Sequence, residues 1–186
     1  MNQDREATEA AKIAVYLAPD LSDTHCNLAK ILYIQKRFKL AKAAIQRAIC
    51  LDSEVADYFA LLSVIQLAQG NRTEALASAE RGLSLDAEHL LCLNLRAMAL
   101  LRLHRYQEVE TTLEAAIFQD PENSTTYAIQ GWLYLYYGNI DVAEQYFRES
   151  LRLDPEQEQA RTGILEVLKM RYSLYSFVFS YKKFLS

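Results

Sequence analysis

The sequence predicts an all-α fold, a right-handed solenoid of stacked helical hairpins, because its punctuating residues recur every 34 positions. Pro121 and Pro155 are 34 residues apart, and Gly70 and Gly138 are two such periods apart. An aspartate recurs once per period, at Asp52, Asp86, Asp120 and Asp154. A repeat of this length forms one helical hairpin that cannot bury its apolar face alone, so neighbouring hairpins must stack.

Counting back from the prolines divides the chain into four full repeats with a partial repeat at each end. The predicted bounds are 1–21 for the second helix of a truncated repeat, 22–55, 56–89, 90–123 and 124–157 for the full repeats, and 158–186 for a capping helix with an aromatic tail. Each full repeat reads as a helix, a short turn and a second helix. Proline near the end stops that helix because it lacks an N–H and clashes with the preceding turn.

The turn inside each repeat is expected to need a residue with positive φ. The second and fourth repeats place Gly70 and Gly138 there, and glycine adopts that conformation at little cost. The first and third repeats place Lys36-Arg37 and His104-Arg105 at the same point. We therefore expect these two turns to be less favourable.

Small residues recur where the helices of a hairpin, and the next hairpin, must approach closely. They fill the eighth place (Ala29, Ser63, Ala97, Gly131), the twentieth (Ala41, Ala75, Val109, Ala143) and the twenty-seventh (Ala48, Gly82, Ala116, Ser150). Over residues 22–157 this pattern resembles the tetratricopeptide repeat family. The unpaired helix at the amino terminus suggests a piece of a larger bacterial protein of this family, with a natural capping helix as the alternative.

Four polar residues depart from the family's apolar pattern: His25, Gln66, Arg96 and Gln130. Long polar side chains can cover apolar surface with their stems while their heads reach water. We expect that arrangement here rather than a functional role.

Composition and motifs argue against several classes of function. A net charge of −4 with no evident basic stripe gives no reason to expect a nucleic-acid partner. There is no Gly-rich phosphate loop, and the neighbours His25 and Cys26 point about 100° apart on a helix, so they do not form a catalytic dyad. We expect a protein that is not an enzyme and takes no cofactor.

The three cysteines, Cys26, Cys50 and Cys92, have no metal-binding or redox spacing. Buried or half-buried reduced thiols are expected, which suits a reducing, cytoplasmic location. His89 and Cys92 are three residues apart and could form half of a metal site, but no second pair accompanies them. No metal is therefore predicted.

In the resembled family the first helices line a concave groove, and the resemblance implies that this groove binds another protein. The implied partner-binding residues are Lys30, Tyr33, Val64, Asn94, Met98, Leu101, Arg102, Trp132 and Tyr136. Trp132 is the expected anchor, since the neighbouring Gly131 takes the close-packing place and leaves the indole to point outward. A clamp for chaperone carboxylates is not expected, because only Lys30 could contribute to one.

The tail gives two alternatives. Residues 172–181 carry no charge, but about ten residues are too few to span a bilayer, which needs about 20. The tail therefore predicts either a cap on the last hairpin or an interfacial segment with Lys182 and Lys183 at the headgroups.

The leading hypothesis is a non-enzymatic module that binds a peptide or helix of a partner in an apolar groove. The alternative is a self-associating or membrane-proximal assembly factor that uses this tail, with homo-oligomers and membrane association left open.

Overall fold

The computed structural model describes the backbone of residues 2–185 and the side chains of residues 6–172. Over that backbone there are ten helices and no strand, which confirms the predicted all-α fold of helical hairpins. Their bounds are α1 Asn2–Leu17, α2 Ser22–Ile34, α3 Phe38–Leu51, α4 Ala56–Ala68, α5 Arg72–Leu85, α6 Leu90–Arg102, α7 Tyr106–Gln119, α8 Ser124–Tyr136, α9 Ile140–Leu153 and α10 Glu158–Leu185. No helix in the described part of the chain is long and apolar enough to cross a bilayer.

The chain forms two compact units, Met1–Thr112 and Leu113–Ser186. In the first unit each helix from α1 to α6 packs on the next, and the first helices α2, α4 and α6 also contact one another in turn. In the second unit α8 packs on α9, and α10 packs on both. The predicted roles of residues 173–186 depend on side chains that lie outside the described residues.

The twelve small residues at the eighth, twentieth and twenty-seventh places are all buried. The alanine and valine side chains among them are fully inaccessible where they meet the neighbouring helix, as Ala97 and Ala116 illustrate at 0% exposure. Larger apolar residues such as Ile45 and Ile65 fill the space beside them in the first unit. The small residues therefore allow the helix backbones to approach closely.

The four turns inside the hairpins share one conformation. Gly70 and Gly138 have φ of 83° and 77°, and Lys36 and His104, at the same place in the first and third repeats, have φ of 59° and 61°. For a residue with a Cβ this left-handed conformation costs about 1–2 kcal/mol. That the first and third turns are less favourable stays a prediction, which the positive φ of Lys36 and His104 supports.

The expectation that the heads of the four polar side chains reach water is wrong for Gln66. It is buried, and its Oε1 accepts a hydrogen bond from the buried Ser78 hydroxyl at 2.7 Å. The Oε1 of Gln130 is also buried, and it has no hydrogen-bond partner among the described residues. Both amides lie where the repeat pattern has apolar residues. Whether each amide is hydrogen-bonded therefore depends on the side chains of the neighbouring helix.

Arg96 and His25 are partly buried and engaged in polar contacts. The Arg96 guanidinium donates to the Thr112 hydroxyl and lies 3.5 Å from a carboxylate oxygen of Glu80. The His25 Nε2 lies 2.9 Å from the carbonyl oxygen of Pro19, beyond the end of α1. Arg96 thus contacts residues on the helices before and after α6, and His25 contacts the turn between α1 and α2.

Of the three free thiols, Cys26 and Cys92 are buried as expected, but Cys50 is exposed. Burial raises the pKa of the Cys26 thiol, and it raises the pKa of Cys92 to about 11. Cys50 lies on the face of α3 that no described helix covers, so the expectation of three buried or half-buried thiols was wrong for it.

Candidate functional site

The predicted groove residues of the first unit differ widely in accessibility. Lys30 and Arg102 are exposed, and Tyr33, Val64 and Met98 are partly buried. Asn94 and Leu101 are only 3% and 6% exposed, so their assignment to the partner-binding surface was wrong. Both residues lie on α6, which packs on α5 and also contacts α4.

Arg102 is exposed, and its guanidinium also binds the carboxyl end of a neighbouring helix. Its Nη1 donates to the Leu67 carbonyl oxygen at 3.2 Å, in the last turn of α4. In return, the Nη1 of Arg72 donates to the Arg102 carbonyl oxygen at 2.9 Å, at the end of α6. Cations are favourable at helix carboxyl ends because the unpaired carbonyls carry partial negative charge. The pair therefore caps two successive first helices.

In the second unit, Trp132 is half-buried rather than fully directed outward. Its Nε1 donates to the Gln159 carbonyl oxygen at 3.3 Å, at the start of α10. Its ring meets that of Phe147 edge to face, with centroids 5.5 Å apart. Gly131 takes the close-packing place, as expected, against the ring of Phe147, but α10 covers part of the indole. Trp132 thus joins α8 to its neighbours while keeping part of its surface accessible.

Tyr136, one helical turn after Trp132 on α8, is the more accessible aromatic residue. It is 50% exposed, and the adjacent Tyr137 is 46% exposed. An exposed aromatic ring beside a half-buried tryptophan is the kind of surface that protein partners use, because aromatic residues are enriched at binding interfaces. Tyr136 and Trp132 are the predicted site residues that this unit brings together.

Three other tyrosines form a stack in the same unit. The ring of Tyr146, on α9, stacks on Tyr134 at 5.2 Å and on Tyr127 at 6.3 Å. Burial raises the pKa of Tyr146, and its neighbour Tyr134 raises it further. These three rings therefore pack α8 against α9.

The spacing of His89 and Cys92 has a structural explanation. The Nδ1 of His89 accepts a hydrogen bond from the Cys92 backbone N–H at 3.3 Å, which caps the start of α6. The Nε2 of His89 lies 3.2 Å from an Asp57 carboxylate oxygen. Among the described residues no group of three or more histidine, cysteine and acidic side chains is placed to hold a metal ion.

A groove runs along α3 and was missed at the level of sequence. Its first part, a cavity of about 380 Å³ between α1, α2 and α3, has Leu28 and Leu32 in its lining and Arg47 at its edge. Its second part, of about 560 Å³, lies at the amino-terminal end of α3. Arg37 and Leu40 line both parts, which are therefore adjacent and are together termed the α3 groove.

Comparison with known proteins supports the repeat architecture. The family model for the tetratricopeptide repeat matches residues 22–54 and 124–157. The DnaJ protein P58IPK homolog B of Oryza sativa subsp. japonica is 32% identical over 78 residues, which are 40% of this chain and 17% of that protein. The chain thus spans a small part of that relative's length.

Two solved structures share the fold at low sequence identity. TTC0263, a thermophilic tetratricopeptide protein of Thermus thermophilus, has a TM-score of 0.76 and 15% identity, covering 90% of this chain and 91% of its own. YrrB, a tetratricopeptide protein described as having an unusual peptide-binding site, has a TM-score of 0.64 and 19% identity, covering 87% of this chain and 83% of its own. Similarity at this level establishes the fold.

Proposed function

Because this chain is a tetratricopeptide repeat protein, we propose that it holds a peptide or helix of a partner protein against Tyr136 and the accessible part of Trp132. Proteins with this fold are typically non-enzymatic interaction modules. The observation that carries the proposal is the exposure of half of the Tyr136 side chain beside the indole on one face of α8.

The chemistry of this surface favours an apolar or aromatic residue of the partner at its centre. Tyrosine and tryptophan offer large contact areas with few rotatable bonds, so little conformational entropy is lost when they bind. The peptide-binding site for which YrrB is described supports the idea that a chain of this fold can hold a peptide. Within the first unit, taken by itself, Lys30, Tyr33, Val64, Met98 and the exposed Arg102 stay proposed as partner-binding residues.

The proposal can be tested with a displayed library of short random peptides selected on the purified chain. The affinities of the selected peptides are then measured for Tyr136→Ala and for Phe118→Ala. Phe118 is the matched control because it is an exposed aromatic residue, 83% accessible, on the second helix α7. We expect Tyr136→Ala to weaken binding about 30-fold, which corresponds to about 2 kcal/mol for an aromatic anchor.

Trp132→Phe provides a second measurement on the same peptides. A phenyl ring can keep the edge contact with Phe147 while losing the hydrogen bond to the Gln159 carbonyl oxygen. We expect a smaller loss of affinity than for Tyr136→Ala, with helix content unchanged. Selected peptides that need Phe118 and are indifferent to Tyr136 would place the binding surface on the second helices and refute the proposal.

A further inference from the structure

The charge of the first repeat is opposite to that of the whole chain. Residues 24–51 contain six lysines and arginines and no aspartate or glutamate. The chain has 20 basic and 24 acidic residues, so the remaining residues have 14 basic and 24 acidic, a charge of −10 outside a segment of +6. A small net charge therefore hides a concentrated basic region.

Most of these cations have no acidic partner. Lys42 pairs with Glu74 at 2.7 Å. Across residues 6–172, by contrast, Lys36, Arg37, Lys39 and Arg47 form no ion pair, and Arg37, Lys39 and Arg47 are exposed. Unpaired cations that lie together raise the local positive potential, which favours the approach of an anionic group.

These four cations all line the α3 groove. Lys36, Arg37 and Lys39 surround its second part, and Arg37 and Arg47 border its first part. The linings also include apolar side chains, among them Leu40, which lines both parts and is 49% exposed. The surface therefore combines apolar and positively charged side chains.

We propose that the α3 groove binds a short acidic, amphipathic peptide segment of a partner protein. Apolar side chains of the segment rest on Leu40, which is 49% exposed, and on the partly buried Leu28, and its carboxylates face Arg37 and Arg47. The 14 residues of α3 extend over about 21 Å, which an extended strand covers in about six residues. No residue of the groove is among the partner-binding residues proposed above, so this is a second, separate surface.

The distribution of charge favours a short peptide over a long polyanion. A nucleic acid or an anionic membrane extends beyond the groove and meets the remainder of the chain, which carries ten excess negative charges. A peptide of a few residues stays within the basic segment and avoids that repulsion. The apolar side chains of the groove would also make no favourable contact with a phosphate backbone.

The test uses a fluorescent peptide of alternating leucine and glutamate, which has one apolar and one acidic face when extended, with an alternating leucine and glutamine peptide of equal length as its neutral counterpart. Fluorescence anisotropy reports binding to the whole chain at about 0.1 M and about 1 M salt. We expect the acidic peptide to bind at low salt and to weaken at high salt, because exposed charge pairs are screened. The neutral peptide is expected to bind much more weakly.

The variant Arg37→Gln/Arg47→Gln removes two of the groove's cations while leaving long, polar side chains. We expect it to weaken binding of the acidic peptide about tenfold. The matched control is Arg152→Gln/Lys169→Gln, which removes the same charge from ion-paired positions outside the groove. The control and Tyr136→Ala should each change the affinity less than about twofold. Circular dichroism melting checks that all variants are folded.

Three outcomes would overturn the proposal. One is an equal loss of affinity in the groove variant and its charge-matched control. Another is equal binding of the neutral and acidic peptides. The third is binding of duplex DNA or phosphatidylserine vesicles that depends on Arg37 and Arg47 while the acidic peptide does not bind, which would assign the groove to a polyanion.

Discussion

The buried hydroxyl of Ser78 donates a hydrogen bond to the Oε1 of Gln66, and the two atoms are 2.7 Å apart. Gln66 lies on α4 and Ser78 on α5, so the bond joins the two helices of one hairpin inside its core. A polar pair of this kind replaces the aromatic packing that the repeat pattern usually has at Gln66. The pair is tolerated in the core because the buried Ser78 hydroxyl and the buried Gln66 Oε1 are hydrogen-bonded to each other.

Replacing Gln66 or Gln130 by leucine should have opposite effects on stability. Gln66→Leu leaves the Ser78 hydroxyl without its acceptor and should cost about 1–3 kcal/mol. Gln130→Leu removes a buried oxygen that has no partner among the described residues, and it should stabilise the fold by about 1 kcal/mol. Urea unfolding of the two variants measures both changes. Destabilisation by both substitutions to a similar extent would refute the contrast.

Glycine in α10 is required by a neighbouring ring. A Cβ at Gly163 would overlap the ring of Phe147, and one at Gly131 would come within 2.5 Å of it. Replacing a helical glycine by alanine ordinarily stabilises a protein by about 0.5–1 kcal/mol. Here we expect Gly163→Ala to destabilise by about 1–3 kcal/mol, because the core is already full.

The same explanation predicts that a smaller residue at position 147 relieves the overlap. In a double-mutant cycle, Gly163→Ala should cost less in a Phe147→Leu background than in the native chain. Thermal or urea unfolding of the four proteins gives the coupling. Additive costs would mean that the Phe147 ring does not limit the space at Gly163.

The turn at Lys36 should be improved by glycine. Lys36 has φ of 59°, close to the 83° that Gly70 adopts one period later. Removing the Cβ relieves about 1–2 kcal/mol of backbone strain, and part of this is offset by the greater freedom of glycine in the unfolded chain. We expect Lys36→Gly to raise the unfolding free energy by about 0.5 kcal/mol.

A substitution nearby controls for the effect of glycine itself. Lys39→Gly, in the first turn of α3, should cost up to about 1 kcal/mol because helical glycine is unfavourable. The two variants have the same change of charge and side chain. Equal destabilisation in urea unfolding would show that the conformation of Lys36 is not strained.

The three thiols should react at different rates. Cys50 is exposed, whereas Cys26 and Cys92 are buried, and burial raises the pKa of Cys92 to about 11. Because the thiolate is the reacting form, both low exposure and a raised pKa slow alkylation. Iodoacetamide followed by peptide mass spectrometry should therefore modify Cys50 first. All three should react alike once urea unfolds the chain, and native labelling of Cys92 before Cys50 would contradict the burial pattern.

Local backbone features could be predicted from the sequence, whereas contacts between helices could not. The 34-residue period located both the glycine turns and the strained residue Lys36, since turn conformation depends on a few neighbouring residues. It did not show that Ser78 would satisfy Gln66, or that α10 would cover Trp132. Those contacts depend on how the next helix packs. The α3 groove was missed because a net charge of −4 averages over a basic repeat and an acidic remainder.

The position of Phe147 has a consequence for how this end of the chain opens. The ring is fully buried, and it projects from α9 against glycines in both α8 and α10. The helices of a protein commonly open separately, with free energies that differ from one another. Here the start of α10 cannot separate without exposing a ring that the preceding hairpin also needs. Amide hydrogen exchange in residues 160–167 should therefore report the same opening free energy as α9, so that the last hairpin and the first turns of α10 form one cooperative unit.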